Sequence, residues 1–276
     1  MPTNPGAEPK LSRQQLVPEL QRLLASGASS HDLLVVAAHF RRMELEQWLW
    51  RHLQGQIAAG PFRGLHYPEQ AHGSTLAPKL LGTYEKEIQT DLMGLVAGAR
   101  TFLNIGCAEG YYTTGLAVRA DRLQVVGVDV DQRALQAAIA SAQVNGVNQQ
   151  CRFTADLQTA ISWLERLDLV LIDVDGAELD VLARLFAASK EQALSKATLI
   201  IETDFHADQH SNRSEIIASL VEHGFQIQAE RKQSIHNRFS DFPDLNLPRN
   251  FFDQCLLGLE GRPGDQSWLI ASKAER

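Results

Sequence analysis

The sequence predicts an α/β fold: a seven-stranded sheet, mostly parallel with its last strand antiparallel, helices on both faces, and an N-terminal helical extension. Three observations carry this. From about residue 98 onward, short β-rich runs alternate with helical patterns, the texture of a parallel sheet with crossover helices. Runs such as "DLVLID", residues 168–173, are apolar without alternation, as strands buried on both faces are. No crossover-helix pattern separates the last two strand candidates, so they are not parallel neighbours.

Residues 1–10 carry three Gly/Pro breaks and read as a loose tail. Residues 12–25 and 32–55 read as helices, because apolar residues recur at three- and four-residue spacing and Gly55 ends the second run. Trp48 and Trp50 suit packing of that helix onto a neighbour. Residues 56–82 are rich in Gly, Pro and His and read as a connecting loop. Strand candidates follow at 101–106, 123–129, 151–155, 168–173 and 197–202, with helical patterns at 111–119, 131–144, 158–166 and 177–190 between them. A helix at 212–223 stops at Gly224, and strands at 225–231 and 267–273 complete the set. The division expected is a tail and helical extension over 1–80 and a larger domain over 81–276, with a lid insertion at 234–266.

Composition narrows the function. Apolar residues make up 44% of the 276 and charged residues 21%, which suits a folded domain with a full core. The net charge of −7 and the lack of a Lys/Arg cluster speak against a nucleic-acid partner, which would need a basic surface. Cys107, Cys151 and Cys255 are odd in number and widely spaced, so neither a disulfide framework nor a structural zinc site is expected. With no apolar leader and no membrane-length apolar run, the expectation is a cytoplasmic protein without membrane contact.

The stretch "LNIGCAEGYYTTGLA", residues 103–117, carries the first chemical signal. Small residues stand at 106, 108 and 110 between a strand and a helix, where a backbone without bulky side chains can turn tightly and approach a ligand. The dinucleotide fingerprint GxGxxG is not met, since Ala108 and Tyr111 replace its second and third glycines. The P-loop is not met either, because no GK[ST] follows. Asp129 ends the second strand, 23 residues after Gly106, where a carboxylate can accept from both ribose hydroxyls. Asp156 ends the third, where it serves either a nucleoside or the N-cap of the next helix.

The loop and the strand ends Asn104, Asp129, Asp156 and Asp173 together resemble class I S-adenosylmethionine (SAM)-dependent methyltransferases, with their Rossmann-like sheet. "LIDVDGAELDVL", residues 171–182, is more distinctive and is similar to the strand-four motif of the FkbM-type family, usually IDVEGAE. "GYYT" at 110–113 matches that family's first motif, and "GTYEKE" at 82–87 resembles the segment leading into its domain. The resemblance covers about residues 82–204. It implies SAM as cofactor and methyl transfer to oxygen of a sugar or other small polar molecule. The cofactor-binding residues so implied are Tyr84, Glu85, Asn104, Gly106, Cys107, Ala108, Glu109, Gly110, Asp129, Val130, Asp156, Leu157 and Asp173. The chain departs from the pattern at Asn104, where Asp is common, at Asp175, where Glu is usual, and at Asp204, which stands where a His is more frequent.

A hydroxyl acceptor needs a proton acceptor beside the cofactor. Asp173 and Asp175 after strand four and Glu202, Asp204 and His206 after strand five lie on neighbouring strand ends, so Asp173, Asp175, Glu202 and His206 are the catalytic candidates. A divalent metal on Asp173 and Glu202 is a less favoured option. Asp175 also suits a helix cap, and Tyr84 with Glu85 suits an ordinary helix start. Phe239, Phe242, Phe251 and Phe252 of the insertion suit an acceptor pocket, a small lid core, or an oligomer contact. The N-terminal helices are a second candidate oligomer surface. Two other readings stand beside the enzyme: a catalytically idle nucleoside-binding or interaction protein of the same fold, and a nicotinamide-dependent oxidoreductase, against which Tyr111 argues.

Overall fold

The computed structural model describes residues 10–190, 192–205, 210–234, 250–262 and 266–273. Two helices, α1 (Lys10–Ala25) and α2 (Ser30–His52), lead the chain. Helix α2 starts at a capping box: Ser29 accepts from the Asp32 backbone N–H, and the Asp32 carboxylate accepts from that of Ser29. The region read as one long loop holds a further helix, α3 (Leu76–Leu81), and α4 (Lys86–Val96) follows. Helix α3 escaped periodicity, since it has only six residues, all buried, and so no polar face to set a period; α4 follows the helix start that Tyr84 and Glu85 suit.

The remaining elements alternate: β1 (Thr101–Ile105), α5 (Tyr111–Arg119), β2 (Gln124–Val128), α6 (Gln132–Val144), β3 (Cys151–Thr154), α7 (Leu157–Ser162), β4 (Leu169–Ile172), α8 (Glu178–Ala188), β5 (Thr198–Glu202), α9 (Arg213–Glu222), β6 (Phe225–Lys232), α10 (Phe251–Gly258) and β7 (Ser267–Lys273). The sheet runs in the order β3-β2-β1-β4-β5-β7-β6. Strands β1 to β5 pair in parallel, and β7 lies antiparallel between β5 and β6. The predicted Rossmann-like sheet, with its one antiparallel strand, is the fold of the protein.

Alternation along each strand divides the core in two. Phe102, Leu169, Leu171 and Ile200 face a cluster that takes in Leu45 and Leu49 of α2, Leu80 of α3, Ile88 and Leu92 of α4 and Leu116 of α5. Leu103, Ile105, Val170, Ile172 and Ile201 face the other, with Leu182 and Leu185 of α8 and Ile216 and Leu220 of α9. At about 1.5–3 kcal/mol for each fully buried large aliphatic side chain, these two layers are the main stabilising term. Trp50 packs as expected, donating Nε1–H to the Tyr67 carbonyl at 2.9 Å, while Trp48 stacks on His52. No described helix is long and apolar enough to cross a membrane.

The chain builds β1, β2 and β3 outward in one direction, then returns to the other side of β1 for β4 and β5. That reversal opens a crevice at the carboxyl ends of β1 and β4, where open α/β sheets take their ligands.

Candidate functional site

A cavity of about 410 Å³ fills this crevice. The β1–α5 loop forms its floor. Gly106 (φ 84°), Ala108 (φ 45°) and Gly110 (φ 91°) are all left-handed, so the loop alternates hands at the three small positions. The backbone N–H groups of Gly106 and Cys107 both donate to the Val128 carbonyl, at 2.8 and 2.9 Å. A Cβ on Gly106 would stand 1.6 Å from the Asp173 carbonyl oxygen. The first glycine therefore lets the β1 and β4 loops touch. The close helix packing that a third glycine provides elsewhere is moved along α5 to Gly115, where a Cβ would lie 2.7 Å from the Phe62 ring. Tyr111 instead sits in an aromatic cluster, edge-on to Phe62, Tyr67, Tyr84 and Tyr112.

Asn104, Ile105, Gly106, Cys107 and Ala108 border the cavity, with Asp129, Val130 and Asp131 along its β2 side. The Asp129 carboxylate accepts from the backbone N–H of Ala108 and of Asp131, each at 2.8 Å. It thus fixes the glycine loop to the end of β2 and keeps free lone pairs toward the cavity. Val130 is 88% exposed, an apolar side chain left on the rim. Leu157 borders the cavity and Asp156 does not: the Asp156 carboxylate accepts from the Thr159 N–H at 2.7 Å as the N-cap of α7.

Glu109 and Glu85 also lie behind the lining, both fully buried. Glu109 accepts from Lys79 Nζ and the Tyr67 hydroxyl, each at 2.5 Å, and from the His72 N–H at 2.8 Å. Burial alone would raise its pKa, but the Lys79 charge and these hydrogen bonds hold it below the usual value. Lys79 Nζ lies 4.8 Å from the centre of the Tyr84 ring. Tyr84 faces the cavity and Glu85, at φ 47°, turns away from it to accept from the Tyr112 hydroxyl and Arg262. Gly110 caps α5 beneath the loop, with Ala138 and Thr113 against it.

At the β4 and β5 ends, Asp173 borders the cavity, beside Glu202, the two standing one residue past the paired Ile172 and Ile201. Glu202 stands behind it, 3% exposed, and its Oε1 accepts from Gln233 and from Arg262. Burial raises both carboxyls, Asp173 to about 6 and Glu202 well above the usual value. Arg262 also bonds Glu85 and, at 3.1 Å, Glu260. Burial alone would lower its pKa, but the charges of Glu85 and Glu202 raise it. Asp175 lines the cavity with its side chain exposed, at φ 49°, and does not cap α8, whose N-cap is Ala177. Burial, then the nearby Asp204, raises its pKa.

His206 lies outside the described residues, as do Phe239 and Phe242. Phe251 and Phe252, at the start of α10, are exposed and border no part of the cavity. Among the described residues no group of three or more His, Cys, Asp or Glu is placed to hold a metal ion. His72, Lys79 and Arg262 escaped the sequence reading. Lys79 alone left a signal, a single charge inside the apolar run "LAPKLL"; nothing in "EGRPG" marks Arg262.

No family model matches the chain, and no curated protein matches it. Solved structures do. A ribosomal protein L11 methylase from Lactobacillus delbrueckii subsp. bulgaricus is 15% identical, over 75% of this chain and 83% of that one, with a TM-score of 0.46. The precorrin 8w decarboxylase of Methanobacterium thermoautotrophicum is 16% identical, over 68% and 90%, with a TM-score of 0.47. Residues 961–1257 of the StiE O-MT are 12% identical, over 71% and 75%, with a TM-score of 0.49.

Proposed function

We propose that the protein is a SAM-dependent methyltransferase acting on oxygen of a small polar molecule or sugar. The observation that carries this is the pairing of Asp129 with the glycine loop in a cavity whose charge suits no phosphate. Asp129, Asp131, Asp173, Asp175 and Asp180 all border it. Of the cations there, Lys79 is committed to Glu109, and Arg184 lies 3.7 Å from Asp180. A dinucleotide would bring its pyrophosphate against these carboxylates, whereas SAM has no phosphate and carries a sulfonium. The motif "LIDVDGAELDVL" adds the FkbM-type resemblance, and the same acidic lining disfavours a polyanionic acceptor.

The residues present fit the cofactor. Asp129 would hold the ribose hydroxyls, Val130 and Leu157 would cover the adenine, and the glycine loop would take the aminoacyl arm. Asn104 Oδ1, buried and without a partner among the described residues, is an acceptor that arm can satisfy. Bound there, SAM supplies a methyl group already activated for in-line displacement. The chain's part is alignment, exclusion of water by the tyrosine cluster, and acceptance of the acceptor's proton by Asp173, whose carboxyl burial brings to about 6.

Thermal shift with SAM, S-adenosylhomocysteine and NAD tests the reading. Ligand at 100 times its dissociation constant stabilises by about 2.7 kcal/mol. The sulfur nucleosides are expected to shift the transition and NAD to leave it unchanged. No shift with either sulfur nucleoside at millimolar concentration rejects the proposal. Methyl transfer that survives EDTA dismisses a metal on Asp173 and Glu202.

A further inference from the structure

The strand order sets the direction in which a nucleoside lies. On the SAM reading, Asp129 at the end of β2 would hold the ribose, and Val130 and Leu157, which border the cavity on the β3 side, would take the base. The 5′ substituent therefore runs the other way, across the β1 loop toward β4, and neighbouring strands are only about 4.8 Å apart. The side chain at the end of β4 is Asp173.

Its surroundings leave Asp173 as an acceptor in need of positive charge. Asp173 and Glu202 stand one residue past the paired Ile172 and Ile201 on neighbouring strands, and two carboxyls so close hold one proton between them. Glu202 Oε1 already takes Gln233 and Arg262, which leaves Oε2 to carry that proton and donate it. The negative charge then rests on Asp173, at the cavity wall. Arg262 is committed to Glu85, Glu202 and Glu260, and Lys79 to Glu109. Asn104 Oδ1, 1% exposed on the neighbouring strand, is a second cavity-bordering acceptor without a donor among the described residues.

We infer that Asp173, backed by Glu202 and Arg262, makes the site selective for a cofactor with positive charge at its centre, so that SAM is held more tightly than its demethylated product. This rests on the SAM reading above. The consequence follows from the transfer itself. The C–S bond breaks with its electron pair left on sulfur, the acceptor oxygen takes the methyl, and the acceptor's proton passes to Asp173. Sulfonium and carboxylate lose their charges in the same step, and the contact that held the cofactor disappears as the product forms.

Calorimetry on the full chain tests this without an acceptor. The probes are SAM, S-adenosylhomocysteine and sinefungin, which carries a protonated amine near the sulfonium position. SAM and sinefungin are expected to bind about 10-fold more tightly than S-adenosylhomocysteine, the ratio one charge-assisted contact in a buried site supplies. Asp173→Asn is expected to bring the ratio to within about 2-fold while the affinity for S-adenosylhomocysteine stays. Equal binding of SAM and S-adenosylhomocysteine by the unaltered protein, or an undiminished preference in Asp173→Asn, overturns this inference alone. No binding of any probe overturns the cofactor reading and this inference with it. Should the variant not fold, the unaltered protein serves. Asp173 faces Glu202 from β5, Glu85 and Tyr84 ahead of α4, Asp175 in its own loop and Arg262. Between about pH 7.5 and about pH 5 the preference for SAM is expected to fall as Asp173 takes a proton, and a constant ratio overturns the inference.

Discussion

Lys79 Nζ lies 2.5 Å from Glu109 Oε1 with both side chains buried, so one ion pair ties the chain ahead of the sheet to the glycine loop. The contact gives the segment over 67–79 a place in the site. Tyr67 and the His72 backbone complete the carboxylate's hydrogen bonds, and His72, Gly73 and Ser74 wall the cavity. Glu109 thus acts on a ligand by shaping the loop it belongs to.

Breaking one side of that pair leaves a buried charge without compensation. Lys79→Met is expected to cost about 3–5 kcal/mol in denaturant unfolding. Adding Glu109→Gln removes the orphaned charge and keeps an acceptor for Tyr67 and His72. The double variant is therefore expected to be more stable than Lys79→Met alone. Additive losses would show that the two side chains do not act as a pair.

Gly106 and Gly176 share a left-handed backbone, at φ 84° and φ 94°, but differ in surroundings. A Cβ at Gly176 meets nothing closer than 3.8 Å, so Gly176→Ala carries only the left-handed penalty of about 1–2 kcal/mol. Gly106→Ala adds a collision with the Asp173 carbonyl at 1.6 Å. It is expected to destabilise well beyond Gly176→Ala, and to lose SAM binding in any fraction that stays folded. Equal unfolding midpoints for the two variants would mean that the β1 and β4 loops do not meet through Gly106.

The same contrast explains what the sequence made legible. Strands buried on both faces write continuous apolar runs, so the sheet and its parallel strands could be read in one dimension. The antiparallel last strand is read from a missing crossover pattern, although the short α10 does lie between β6 and β7. The strand-end residues Asn104, Asp129 and Asp173 could be read as well, because strand ends in this fold converge wherever the helices between them lie. Asp129 and Asp156 look alike as text, each an acid after an apolar strand. Only the local backbone turns one toward the loop and the other back onto its own helix. Arg262 meets Glu85 and Glu202 from 177 and 60 residues away, a convergence no local pattern encodes.

Asp129 and Asp156 are separable by experiment. Asp129→Ala removes the acceptor for the Ala108 N–H as well as for a ribose, and is expected to weaken SAM binding by about 1–3 kcal/mol. Asp156→Ala removes a helix cap, and is expected to cost about 1 kcal/mol of stability while SAM affinity is kept. Calorimetry and denaturant unfolding on both variants give the four numbers needed. Unchanged affinity in Asp129→Ala would remove Asp129 from the site, and a loss of affinity in Asp156→Ala would return Asp156 to it.

Asp173 should also write itself into the pH dependence of folding. Burial raises its carboxyl from 3.8 to about 6 in the folded chain. A group raised on folding contributes stability that is fully present below its unfolded pKa and lost as the pH rises through its folded one. The window is therefore about pH 4 to 6. Glu230 works with the opposite sign, since hydrogen bonding to Arg213 lowers it to about 2 and its contribution is lost as the pH falls. Asp173→Asn leaves Glu230 unchanged, so that term cancels between variant and parent. The stability of Asp173→Asn relative to the parent is expected to rise across the window, because only the parent must ionise a buried carboxyl. Parallel stability curves from pH 4 to 7 would mean that Asp173 ionises as freely in the folded protein as in the unfolded chain, and that burial does not hold its proton.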